Sequence, residues 1–426
     1  MSRGEGEIQP QPLRHEPRPR LAVGCMTGTS IDALDCTLVE VAGRGLGLCA
    51  RHLSSHSVEL GNLRSALKDL AEQRAMTAAQ IATLSHDFAL LHARAVKELL
   101  DRAGVSAREL ALVCPHGQTV YHKPPVSWQL LNLPVLAAEL GVTVVGDVRA
   151  ADLALGGQGA PVTPITDWLT LRDHRRPNDG GELRVVVNLG GFCNATMLAP
   201  GEVTPQRVRG FDLCACNLLL DSVAWRVMGV RFDDGGSAAL SAEPDQEALD
   251  DLLGVLASQV GPSGRSLGTG DEATAWIGRH WRGGAGCSGA TLAATACEAI
   301  GQTLAARLSA ELSLADPAGS ESLPRVLLAG GGVHNAALVH AIASACTARV
   351  DRTDALGVPA GAREAMAFAI LGLLCADGVP ITLPVVTGVR MTDGRAPISG
   401  VWAYPHGGPG LVPWGHGLVP ASGPRA

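Results

Sequence analysis

The chain has 426 residues, enough for two domains, with 46% hydrophobic and 18% charged residues, 52 glycines and 3% aromatics. That balance suits an α/β protein with close backbone packing and many turns. A net charge of −7 gives no electrostatic case for nucleic acid or an anionic membrane as a partner, although backbone amides can still hold a phosphate. The 11 cysteines are an odd number, scattered mostly through apolar segments. No secretory segment is visible, and no run approaches the roughly 20 apolar residues of a membrane helix. The thiols therefore read as reduced, in a cytoplasmic protein. Cys214-Ala215-Cys216 is the one tight cysteine pair, and without a second pair at metal spacing no zinc site is expected.

Residues 1–20 lack an apolar stretch and read as a disordered arm. Residues 21–27 and 34–41 read as strands flanking a small-residue turn, and 62–75 and 78–104 carry helical periodicity ending at Gly104. "ELALVCPHGQTVY" is expected to be a strand running into a loop. "LAAEL" predicts a helix and "GVTVVGDV" a strand, and "ADLALGGQGAPVTP" a glycine-rich crossing without regular structure. Residues 173–182 read as a polar exposed loop. "LRVVVNLGGFCNATML" (183–198) is again strand, glycine turn, strand, and "PRVLLAGGGVHNAALVHAIAS" is strand, glycine turn, helix. Little order is expected beyond about residue 405. The recurrence of strand–turn–strand at 21–41 and 183–198 suggests two domains of similar topology facing one another.

The turns carry the chemistry. In "TGTSIDALD" glycine permits close backbone approach, and the Thr29 and Ser30 hydroxyls can donate to phosphate oxygens. A carboxylate beside a phosphate implies magnesium between them, so Asp32 or Asp35 points to a metal–nucleotide. Taken alone, this stretch reads first as a plain hairpin turn with an Asx cap. Asn188, Gly190 and Gly191 form a second such turn, and Gly330, Gly331 and Gly332 a third. No P-loop motif occurs, and the pattern does not fit a dinucleotide fold.

"MTGTSIDALD" resembles the MSGTSxDGxD motif of the anhydro-N-acetylmuramic acid kinases. "HGQTVYHKP", "VVGDVRAADLALGGQGAPVTP", "VVVNLGGFCNATML", "LLAGGGVHN" and "GVPAGAREAMAFA" are similar to further motifs of that family, in family order, over residues 21 to about 385. The resemblance implies the two-lobed fold of sugar kinases, actin and the heat-shock ATPases, with ATP in the cleft. It implies a domain I at 21–155 and a domain II at 156–385. Residues 386–426 would return to domain I and end in a glycine- and proline-rich tail. Gly28, Thr29, Ser30, Ile31, Asp32, Ala33, Leu34 and Asp35 would form the first phosphate loop. Asn188, Gly190 and Gly191 would form the second, and Gly330, Gly331 and Gly332 would line the adenosine site.

The family reaction implied is a combined hydrolysis and phosphorylation. Water attacks the anomeric carbon of a 1,6-anhydro sugar, the bridge opens, and the freed O6 takes the γ-phosphoryl of ATP, with Mg2+ stabilising its charge. Water needs a base, and the family's GFDTGPGN-type segment is here "GFDLCACN", which makes Asp212 the candidate; a helix-capping aspartate is the structural alternative. Leu213-Cys214-Ala215-Cys216 replaces the family's Thr-Gly-Pro-Gly and predicts a bulkier, less polar turn. The family's QIGD is here Gln129-Leu130-Leu131-Asn132, and its STGRE is "SLGTGDE" (266–272). For His116 and Gln158 a sugar contact competes with a loop brace. Gln118 shares the HGQT motif with His116 and is counted among the sugar contacts. Arg149 would touch ligand or ion-pair with Asp147 or Asp152, and Glu364 would contact substrate or serve as a first-turn helix acid. The expected substrate is 1,6-anhydro-N-acetylmuramic acid, within cell-wall amino-sugar recycling. The alternatives are another anhydro sugar such as levoglucosan, or a nucleotide-binding protein without catalysis. Family members are often dimeric, which carries over the expectation of a homodimer.

Overall fold

The computed structural model describes residues 18–28, 31–175, 180–258, 271–281, 286–315 and 323–405. The arm at 1–17, Thr29 and Ser30, most of "SLGTGDE" and the tail beyond 405 lie outside them. In chain order the strands are β1 (Arg20–Thr27), β2 (Ala33–Ala42), β3 (Cys49–Glu59), β4 (Leu110–Pro115), β5 (Gln118–Lys123), β6 (Val126–Leu130), β7 (Val144–Gly146), β8 (Arg184–Leu189), β9 (Phe192–Leu198), β10 (Arg209–Ala215), β11 (Arg325–Ala329), β12 (Arg349–Arg352) and β13 (Val401–Ala403). Six of them form one sheet, ordered β13-β7-β4-β1-β2-β3, and five another, ordered β10-β9-β8-β11-β12.

The two sheets share one plan. Three consecutive strands meander antiparallel, β1-β2-β3 in one and β8-β9-β10 in the other. Two later strands then add in parallel, β4 and β7 beside β1, β11 and β12 beside β8. This duplicated α/β plan is that of the sugar kinase, actin and heat-shock ATPase fold. The chain's last strand, β13, pairs antiparallel with β7 in the first sheet.

Helices fill the space between and outside the sheets. Arg363–Ala376 reads "REAMAFAILGLLCA" and is apolar all round, as a helix buried on every side must be. It lies flat on β1, where a Cβ at Gly24 would meet the Ala365 carbonyl at 1.9 Å. With Pro164–Leu171 it joins Ala22, Val39 and Val41 of the first sheet to Val186, Leu198 and Leu327 of the second in one core. Each leucine, isoleucine or phenylalanine buried there contributes about 1.5–3 kcal/mol. Ala78–Ala103 covers the outer face of the first sheet, opened by a Thr77/Gln80 capping box and closed by Gly104 at φ 66°. Gly289–Ala315 and Ala336–Ala345 cover the outer face of the second.

Four local expectations are corrected. The segment after β4 is not a loop but a hairpin, β5 against β6, because Tyr121 and Trp128 pair across it. The glycine-rich crossing contains a helical turn, Ala150–Ala154, before its irregular part. Asp173 is buried rather than exposed. It receives the Arg175 backbone and guanidinium and the Glu182 amide, and these partners hold its carboxyl well below the usual range. Leu213-Cys214-Ala215 is not a turn but the end of β10, with a bulge between Asp212 and Cys214. All four side chains from Leu213 to Cys216 are buried in the outer core.

Candidate active site

At the β1–β2 connection the Ile31 amide bonds the Gly28 carbonyl at 3.1 Å, with Ile31 at φ 52°. Ile31 and Leu34 bury their side chains in the core of the first lobe, so there only backbone can face a ligand. Ala33, Leu34 and Asp35 already belong to β2. Asp32 is held by Arg64 at 2.7 Å and by Arg231. Asp35 is half-buried, and burial raises its carboxyl pKa against the opposing effect of the Ser57 hydroxyl.

The second and third turns form one unit. The Gly190 and Gly191 carbonyls accept the Asn217 and Cys216 amides at 3.0 and 2.9 Å, which starts helix Asn217–Val223 directly on the turn. Asn217 Nδ2 donates to the Leu189 carbonyl at 3.1 Å. A Cβ at Gly330, φ 85°, would stand 2.7 Å from Asn188 Oδ1 and 2.9 Å from the Leu189 carbonyl; one at Gly332 would stand 2.7 Å from Leu189 Cβ. Glycine is required at both positions for the turns to touch. Gly331 has only an ordinary contact, with Asn217.

Asp212 sits on β10 directly opposite Asn194 of β9, which in turn pairs with Asn188 of β8. Register partners share a face. Asn188 and Asn194 alternate with outer-core residues Val187, Leu189, Cys193 and Ala195, so the three polar residues point between the lobes. Asp212 is half-buried on a strand, which rules out the helix-capping alternative. Two residues before it, Gly210 packs against Pro161, Pro164 and Val386. Two strand spacings place Asp212 about 10 Å from Asn188.

On the other side of the cleft, Arg149 donates to His116 Nε2 at 3.2 and 3.0 Å and to the Gly159 carbonyl at 2.8 Å. Neither Asp147 nor Asp152 ion-pairs with it; Asp152 instead accepts the Gly159 amide and the Thr387 hydroxyl, both at 2.7 Å. Burial, then Arg149, hold the His116 pKa well below its usual value, and Phe368 packs on the ring at 4.8 Å. With Nε2 accepting, the neutral ring carries its proton on Nδ1. Burial pulls Arg149 down to about 10, opposed first by Glu364. Gln118 is buried with Oε1 lacking a partner among the described residues. Gln158 bonds Thr387 through its backbone amide at 2.9 Å. Glu364, in the first turn of Arg363–Ala376, accepts Asn188 Nδ2 at 3.5 Å. Its carboxyl is pushed up by burial, with Arg363 and Arg149 opposing and Asp167 and Asp35 reinforcing. Glu364 thus stands where residues of both lobes meet.

Sequence reasoning passed over Asn194 as a site residue, since only the β8–β9–β10 register sets it beside Asn188 and Asp212. It also passed over Arg64, Arg231 and the buried Arg363–Asp167 pair. Asn132 caps helix Leu133–Leu140, its Oδ1 accepting the Val135 amide at 3.2 Å; asparagine does this as well as the family's aspartate.

A duplicated α/β fold with glycine turns after β8 and β11 in contact, and with Asp32 of the first lobe ion-paired to Arg231 of the second, is the framework of a phosphotransferase acting on a small molecule. The family model described as anhydro-N-acetylmuramic acid kinase matches residues 20–395. The chain belongs to this anhydro-N-acetylmuramic acid kinase family. The enzyme of that name from Gloeobacter violaceus is 35% identical over 87% of this chain and 96% of its own length. That from Bordetella pertussis is 36% identical over 89% and 95%, and that from Salinibacter ruber 33% over 90% and 96%. Among solved structures, a ROK family glucokinase from Streptomyces griseus in complex with glucose and AMPPNP overlaps 82% of this chain and 98% of that one, at 16% identity and a TM-score of 0.37.

Proposed function

We propose that this chain phosphorylates 1,6-anhydro-N-acetylmuramic acid with ATP while opening its anhydro bridge, giving N-acetylmuramic acid 6-phosphate and ADP. The observation that supports this is the Asp212–Asn194–Asn188 rung, which sets a carboxylate in register with two amides, the last of which donates to Glu364. The two lobes, one on each large sheet, would close on ATP and sugar and exclude stray water. Asp212 takes the proton from the attacking water. Backbone amides of the first and second turns would bind the phosphates, and Gly330–Gly332 would lie beneath the adenosine. His116, Gln118, Arg149, Gln158 and Glu364 would orient the sugar.

The hard carboxylate oxygens beside the first turn suit Mg2+. Arginines already hold Asp32, so Asp35 is the better candidate to take the metal directly or through water. Bound there, magnesium would neutralise charge on the transferring phosphoryl group. Among the described residues no helix is long and apolar enough to cross a membrane. A cytoplasmic location and a homodimer complete the proposal.

The test pairs the parent chain with Asp212→Asn. The parent, given Mg-ATP and the anhydro sugar, should yield a ring-opened sugar phosphate by mass spectrometry. The variant should lose sugar-dependent ADP release by about 10²–10⁴-fold while still binding ADP. Intact release in the variant ends the assignment of the base. Levoglucosan, without lactyl and acetamido groups, is the comparison substrate.

A further inference from the structure

The three turns proposed to hold the nucleotide contain no lysine or arginine, while Asp32, Asp35, Asp221 and Glu364 make the cleft rich in acid. A triphosphate entering it needs cations from elsewhere. Two guanidinium groups converge on Asp32, just before β2. Arg64 donates from Nη2 to Asp32 Oδ1 at 2.7 Å and from Nε to the Ile31 carbonyl at 3.1 Å, so its own lobe anchors it twice. Arg231 ion-pairs with the same Oδ1 but comes from the opposite lobe. It lies two residues beyond Gly229 (φ 70°), which ends a π-helical turn, Ala224–Met228, following helix Asn217–Val223. That helix starts on the second turn, so Arg231 is tied to one turn by chain and to the other by charge. Asp221 of the same helix stands within reach of the pair. Burial, then Asp32, push its carboxyl up to about 6, and Arg231 opposes them.

We propose that Arg231 is the residue with which the second lobe grips the phosphate chain of the nucleotide, and that Asp32 holds it in waiting. The side chains of Arg231 and Asp32 are 46% and 34% exposed, and an exposed ion pair costs little to break. A phosphate chain offers more negative charge than one shared carboxylate, and oxygens spaced for a guanidinium fork. Transfer of Arg231 from Asp32 to the phosphates would couple nucleotide arrival to lobe closure. This rests on the kinase reading above, because it requires a phosphate-bearing ligand in the cleft.

Calorimetric titration of the full chain with Mg-ADP, a non-hydrolysable Mg-ATP analogue and adenosine, before and after Arg231→Ala and Arg231→Lys, tests it. Arg231→Ala should weaken both phosphorylated ligands by about tenfold or more and leave adenosine unchanged. Arg231→Lys, which keeps the charge and loses the fork, should recover part of the loss. In steady state the KM for ATP should rise with the KM for sugar unmoved. Unchanged nucleotide affinity in Arg231→Ala overturns the proposal, as does an equal loss for adenosine, which would mark a packing role. A parent chain that binds nucleotide without phosphorylating sugar sinks the kinase reading alone, and the titrations still decide Arg231. A parent chain that binds no nucleotide overturns both.

Discussion

The ion pair Arg363–Asp167 is the most deeply buried charge pair among the described residues, with side chains 3% and 1% exposed. Arg363 donates from Nε to Asp167 Oδ1 at 2.8 Å and from Nη2 to Oδ2. It pins Pro164–Leu171 to Arg363–Ala376, the two helices packed between the sheets. Arg363→Met keeps the apolar stem and removes the charge, leaving Asp167 without its guanidinium in a site closed to water. Breaking such a pair costs about 3–5 kcal/mol, which shifts the unfolding equilibrium by a factor of about 10² to several 10³. Replacing both partners, Arg363→Met with Asp167→Leu, leaves no buried charge behind and should return stability to within about 1 kcal/mol of the parent. Urea unfolding of parent, single and double variants measures this through midpoints at equal slope. Glu364 is the next residue after Arg363, so the single variant should also lower kcat. A single variant within about 1 kcal/mol of the parent, or a double variant as weak as the single one, would refute the reasoning.

Two further outcomes rest on named side chains. His92 lies buried in Ala78–Ala103, bonded through Nδ1 to the Phe88 carbonyl at 2.8 Å, with Nε2 lacking a partner among the described residues. Burial lowers its pKa to about 4 from 6.5. A depressed histidine contributes stability that is complete above pH 6.5 and is lost as pH falls toward 4, because the unfolded chain binds the proton first; the full effect is about 3 kcal/mol. His92→Met should flatten the stability–pH curve in that window, and an unchanged slope in urea titrations would count against the burial argument. Asn194→Asp places a carboxylate opposite Asp212 across the β9–β10 ladder. Like charges in register disfavour ionisation, so the acid limb of the kcat/KM profile should move to higher pH by about one unit; an unmoved limb would separate the rung from the base.

Local sequence determined the turns, most of the strands that flank them and the family. Gly190–Gly191 and Gly330–Gly332 are legible because a glycine run directly after an apolar strand permits few structures other than a turn. The repeated strand–turn–strand pattern points to two similar units, since one chemical grammar writes both meanders. The end of β10 departs from expectation because the resemblance supplies a loop where this chain's Leu213-Cys214-Ala215 has apolar side chains to bury. Tertiary structure alone decided which polar groups meet. The Asp212–Asn194–Asn188 rung depends on strand register, and a slip of one residue would turn Asp212 into the outer core. Asp32 finds Arg231, Arg149 finds His116 and Arg363 finds Asp167 across the fold. The first and last pairings depend on how the two sheets pack against the shared helices Pro164–Leu171 and Arg363–Ala376, and Arg149–His116 on the adjacency of β4 and β7 in one sheet, arrangements that short-range propensity does not encode.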